Sequence, residues 1–147
     1  MLKDKINEDV KSALKAGDAN RRMVLSLVLS AVKNKEIEKR SELTDEEIIS
    51  VISSEVKKRK ESIESYEKGG RQEMAQKEKG ELAILMEYMP EQMSDDDIRT
   101  EAKKAILESG VTDIKQVGKV LAVLMPKVKG KADGQTVSRI VKEELSK

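Results

Sequence analysis

The chain has 147 residues, with 29 Lys and Arg against 28 Asp and Glu, 39% charged side chains and a formal net charge of +1. That balance argues against a strongly basic polyanion binder and against an acidic disordered tail. With no Cys and no His there is no disulfide framework, no thiolate zinc site and no Ser-His-Asp or Cys-His machinery. With no Phe or Trp the core has to come from Leu, Ile, Val, Met and Ala, which suits helix packed on helix.

The first residues, Met1 to Glu8, alternate charge and lack an apolar signal segment, and the most apolar run, 23–32, is too short to span a bilayer. A cytoplasmic protein without membrane contact is therefore expected. Leu2, Ile6, Val10, Ala13 and Leu14 share one stripe and predict a helix over 2–16, closed by Gly17. Asp18 or Asn20 then caps a second helix reaching Lys39. Its middle, 23–32, is apolar nearly all round and reads as the central core helix.

Thr44 and Glu47 form a capping box, with Leu43 and Ile48 as its hydrophobic staple. They start a third helix that buries Ile48, Ile52, Val56, Ile63 and Tyr66 and ends at Gly69-Gly70. A fourth, over 71–89, carries Met74, Leu82, Leu85, Met86 and Met89. Pro90 then marks a boundary, and Ser94 with Asp97 caps the next helix, which stops at Ser109-Gly110. Shorter helices follow over 113–125 and 134–146. The expected architecture is all-α: a four-helix bundle-like lobe over 1–90 and a small three-helix lobe over 94–147.

No pattern supports a metal or cofactor site. Asp95-Asp96-Asp97 reads as first-turn carboxylates complementing the helix dipole, and neither Gly69-Gly70 nor Gly130 to Gly134 follows a strand as a nucleotide loop would. Lys57-Lys58-Arg59-Lys60 has Glu55, Glu61 and Glu64 one turn away, which makes it a salt-bridged helix face. Lys127, Lys129 and Lys131 lack such neighbours and fall in a stretch that Pro126 and Gly130 are expected to hold out of helix. Lys119 and Arg139 are candidates to join them. Asp133 and Gly134 are expected to fix the start of the last helix, with Asp133 as its N-cap. Without aromatic platforms such a lysine comb would meet phosphate and 2′-OH of a folded RNA rather than bases, and would not read a DNA sequence. A flexible polar linker is the alternative.

Gly118-Lys119-Val120 followed by Leu124-Met125-Pro126-Lys127-Val128-Lys129-Gly130-Lys131-Ala132-Asp133-Gly134 resembles the signature of the GatB/YqeY family. The segments 33–38, 57–62 and 88–94 are similar to its stand-alone YqeY type. The chain departs at Leu121-Ala122, where the family often has Met-Gly. The resemblance implies a C-terminal lobe similar to the tail of the B subunit of the tRNA amidotransferase, which contacts tRNA. It thus implies a tRNA-binding or amidotransferase-associated accessory protein, with tRNA, a tRNA-handling complex or the aminoacyl-tRNA machinery as partner. Carbon–nitrogen ligase activity with glutamine as amido donor, exerted with partner subunits, is the alternative implication, and a protein-interaction scaffold is the third reading.

Overall fold

The computed structural model describes all residues, Met1–Lys147, and contains seven α-helices, one 3-10 turn and no strand. The helices are α1 (Leu2–Ala16), α2 (Ala19–Lys39), α3 (Asp45–Lys68), α4 (Gln72–Met86), α5 (Asp95–Ser109), α6 (Val117–Val128) and α7 (Gly134–Leu145), with the 3-10 turn at Ile114–Gln116. The chain divides into two compact units, Met1–Met89 and Pro90–Lys147, each with its own core. No helix is long and apolar enough to cross a membrane.

Local chemistry fixes most of the helix ends. Gly17 and Gly110 take left-handed φ values of 74° and 70° and close α1 and α5, a conformation that a Cβ would oppose. Asp18 accepts from the Arg21 N–H at the start of α2. Both capping boxes form: Thr44 Oγ1 accepts from Glu47 N–H while Glu47 accepts from Thr44 N–H, and Ser94 with Asp97 repeats the exchange. Helix α4 ends at Met86, three residues short of the expected stop. Glu87, Tyr88 and Met89 donate to carbonyls three residues back, the tighter turn that precedes Pro90.

In the first unit, α1 packs on α2 and α3 on α4 around Ile6, Val24, Leu25, Val28, Val32, Ile48, Ile52, Val56, Ile84, Leu85 and Tyr88. Two expectations fail here. Leu14 is exposed, and α2 is not enclosed: Val24, Leu25, Val28 and Val32 are buried, whereas Met23 and Leu27 face solvent. The second unit closes α5, α6 and α7 around Ile98, Ala102, Ala105, Val120, Leu124, Val137, Ile140 and Val141.

Polar bridges set how these helices meet. Glu81 of α4 is the buried charged residue of the molecule, 3% exposed, and accepts from Arg59 of α3, which also reaches Glu78 at 2.9 Å. So Arg59 crosses to α4 instead of joining a salt-bridged face on α3. Its Nε is buried with no partner, so the cluster is incompletely satisfied. Such a pair fixes the α3–α4 register more than it adds stability. Tyr88 donates its hydroxyl to Asp9 of α1, and the Lys5 ammonium lies 5.3 Å from its ring centre. The Tyr88 hydrogen bond, then Lys5, holds the Asp9 carboxyl below its usual range against the opposing effect of burial.

Two outcomes follow. Arg59→Leu leaves Glu81 buried without its counter-charge and should destabilise by about 3 kcal/mol. Arg59→Leu combined with Glu81→Leu should recover most of that loss in urea unfolding at neutral pH. A double variant no more stable than the single one would show that the carboxylate is not the source of the loss. Tyr88→Phe should cost about 1 kcal/mol near pH 6. Because the folded Asp9 pKa is depressed, its contribution is complete above the unfolded value near ~4 and is lost as pH falls through the lower folded value. The gap between wild type and Tyr88→Phe should therefore narrow below about pH 4, and a gap that widens in acid would contradict the assignment.

Candidate functional site

The C-terminal lysines do not form the expected comb. Helix α6 runs through Pro126 and Lys127 to Val128. Proline removes only the bond to the Ala122 carbonyl, and Ala122 is exposed, so water takes that acceptor. Leu124 and Val128, 0% and 1% exposed, hold the last turn on the core, and packing overrides the proline. Lys129 is the C-cap. Gly130 follows with φ 79°, and its buried carbonyl accepts from the Gln92 amide at 2.9 Å. The Lys131 carbonyl accepts from Met93 N–H at 2.8 Å. This turn is built into its unit rather than left as a linker.

Two of the five candidate cations are paired with carboxylates at the surface. Lys127 binds Glu108 of α5 at 2.9 Å, which holds its ammonium above the usual lysine range. Arg139 binds Glu143 at 2.9 Å and Asp95 at 3.2 Å, and is likewise raised, Glu143 first. Lys119, Lys129 and Lys131 are exposed. Lys119 stands in the first turn of α6 and Lys129 at its far end, roughly 15 Å apart along the axis. The Met93 contact also places Lys131 beside the acidic start of α5 at Asp95, Asp96 and Asp97. Gly134 opens α7 as expected. Asp133 occupies the N-cap position without capping through its side chain, because its carboxylate takes the Thr136 hydroxyl at 3.4 Å.

A different feature stands out on α2. On the side turned away from Val24, Leu25, Val28 and Val32, the exposed residues Asn20, Met23, Leu27, Ser30, Asn34 and Ile37 follow one another at steps of three and four. Met23, Leu27 and Ile37 are 45%, 54% and 65% exposed. The strip from Met23 to Ile37 is uncharged and about 21 Å long. Most other charged groups of α2 are engaged: Arg21 with Asp18 and Glu87, Glu36 with Lys3, Lys39 with Glu47, and Lys35 loosely with Glu38 at 3.8 Å, while Arg22 is exposed and unpaired. Lys33, along one edge of the strip, is exposed and belongs to none of these pairs, and Arg40 follows the helix as its left-handed C-cap. Sequence reasoning merged this strip with the core face. The signal that separates them is the seven-residue recurrence of 23, 30 and 37, offset by 27 and 34.

Among curated proteins, the chain is 34% identical over 85 residues to "Altered inheritance of mitochondria protein 41, mitochondrial" of Eremothecium gossypii, covering 57% of this chain and 46% of that protein. The protein of the same name from Lachancea thermotolerans is 30% identical over 112 residues, 76% of this chain and 58% of that protein. The chain spans about half the length of these relatives. Their name refers to neither tRNA nor amide transfer. The expectation of a tRNA-binding, amidotransferase-associated or carbon–nitrogen ligase role is overturned on that finding. The expectation of a cytoplasmic protein goes with it, since the relatives are named as mitochondrial. The family model described as "Yqey-like protein" matches residues 3–145, nearly the whole of the all-helical chain, which thus belongs to the YqeY-like family.

Proposed function

We propose that this chain is a protein-association module whose working surface is the outward face of α2. The observation that carries this reading is the uncharged strip of Met23, Leu27, Ser30, Asn34 and Ile37, half exposed on a helix whose opposite face is fully used by the core. Apolar side chains repeated on one face over four turns are what a helix of another chain packs against, ridge into groove, with axes about 8–10 Å apart. Scattered single apolar residues on a surface need no explanation, but a spaced row of them points to a partner. The interspersed Ser30 and Asn34 keep such a face soluble when free.

A photo-crosslinking residue at Leu27 of the full chain, expressed in cells, tests this directly. The expected result is a discrete protein adduct that is lost when Ile37→Glu is added, with no adduct from the same probe at Lys60. An adduct equally strong at Lys60, or none at Leu27, would remove the basis of the reading.

A further inference from the structure

We infer that the α2 strip pairs with the same strip of a second copy of this chain, in parallel and in register. This rests on the reading of α2 as an association surface and names its occupant. Three features of α2 point to it. The first is spacing: Asn20, Leu27 and Asn34 recur every seven residues, and Met23, Ser30 and Ile37 interleave at a step of three, the a and d positions of a two-stranded coiled coil. All six are exposed.

The second is the polar residues within that seam. Asn20 and Asn34 fall at a positions, where a lone Asn is tolerated because it bonds its own counterpart across the pair. A foreign apolar helix would leave both amides desolvated without partners, at a cost. Only the in-register parallel arrangement brings each Asn opposite itself.

The third is the charge on the edges. Lys33 flanks the seam on the g side, and Glu38 flanks it on the e side. In a parallel pair a g residue lies beside the e residue five positions on in the other helix. Lys33 then meets Glu38 of the partner subunit, twice per dimer. Within one chain Glu38 is held only by Lys35 at 3.8 Å, with both side chains mostly exposed, so it is free to exchange. An antiparallel pair instead brings g against g, where α2 offers only Ala19, Ser26 and Lys33, and Lys33 finds no carboxylate. The seam is short beside the roughly 800 Å² per partner of stable dimers, so the association is reversible and concentration-dependent.

The chain has no cysteine, so single cysteines report cleanly on the geometry. Sedimentation equilibrium of the full chain, from micromolar to near-millimolar, should show a monomer–dimer equilibrium. Leu27→Glu should abolish it with the helical circular dichroism unchanged. Lys33→Glu should weaken it by roughly fivefold, and Lys33→Glu with Glu38→Lys should restore it. Under mild oxidation Asn20→Cys and Asn34→Cys should each give a disulfide-linked dimer, as two a positions lie within the roughly 4.4–6.8 Å between Cα atoms that a disulfide spans, while Lys60→Cys should not. Crosslinking at 34 but not at 20 would mean an antiparallel pair, and tighter association of Lys33→Glu would exclude the Lys33–Glu38 pairing; either result overturns the inference. A strict monomer whose Leu27 photo-adduct is another protein overturns self-pairing and keeps the association reading. A strict monomer with no adduct overturns both.

Discussion

A core without Phe or Trp is the constraint from which the rest of this structure follows. Each Ile, Leu or Val taken out of water stabilises the fold by about 1.5–3 kcal/mol, and no single side chain anchors a helix pair as a large aromatic would. Aliphatic ridges settle into grooves in a few preferred crossing classes, with a scatter of about 15–20° that leaves room for polar contacts to refine the fit. Part of the register then comes from directional contacts. Arg59 with Glu78 and Glu81 supplies it between α3 and α4, Tyr88 with Asp9 between α1 and the turn after α4, and Arg99 with Glu143 and Glu144 between α5 and α7. In the last, Lys147 and then Arg99 hold the Glu144 carboxyl down to about 2, so this clamp persists through mildly acidic conditions. The polar bridges serve position, and the aliphatic residues supply the driving force.

The helices were legible because their ends are written in short-range chemistry. Gly17 and Gly110 in left-handed backbone, the Thr44–Glu47 and Ser94–Asp97 boxes and Asp18 each act within a turn of their own position, so a reader of the sequence sees all the participants. The misses share the opposite cause. Pro126 reads as a breaker, yet α6 continues to Val128 because Leu124 and Val128 are gripped by residues far away in the chain. Helix α4 stops at Met86 ahead of Pro90, and the tight turn between them seats Tyr88 against Asp9, a partner 79 residues distant.

Distance along the chain also hid charge pairing at two of the candidate site residues. A run of lysines without local acids looks like free positive potential, but Lys127 finds Glu108 nineteen residues back, and Arg139 finds Asp95 forty-four residues back. Counting charge along the chain overstates the field wherever packing returns a carboxylate to it. Nothing in composition separates Lys127 from Lys129, although one is paired at the surface and the other is not.

Helix α2 shows how two surfaces hide inside one hydrophobic segment. Its core residues, Val24, Leu25, Val28 and Val32, follow the true helical repeat and meet the rest of their unit. Its outer residues, Asn20 to Ile37, keep a strict seven-residue repeat. An ideal helix drifts by about 20° per heptad against that repeat, which over the two heptads from Met23 to Ile37 moves the outer strip by less than the breadth of one side chain. A straight helix thus carries both patterns without supercoiling, and the sum of the two reads as apolar all round. Ser30 and Asn34 interrupt the outer strip, and Lys33 and Glu38 border it. The outward face of α2 is free to hold a period of its own because the core of its unit constrains only the opposite side.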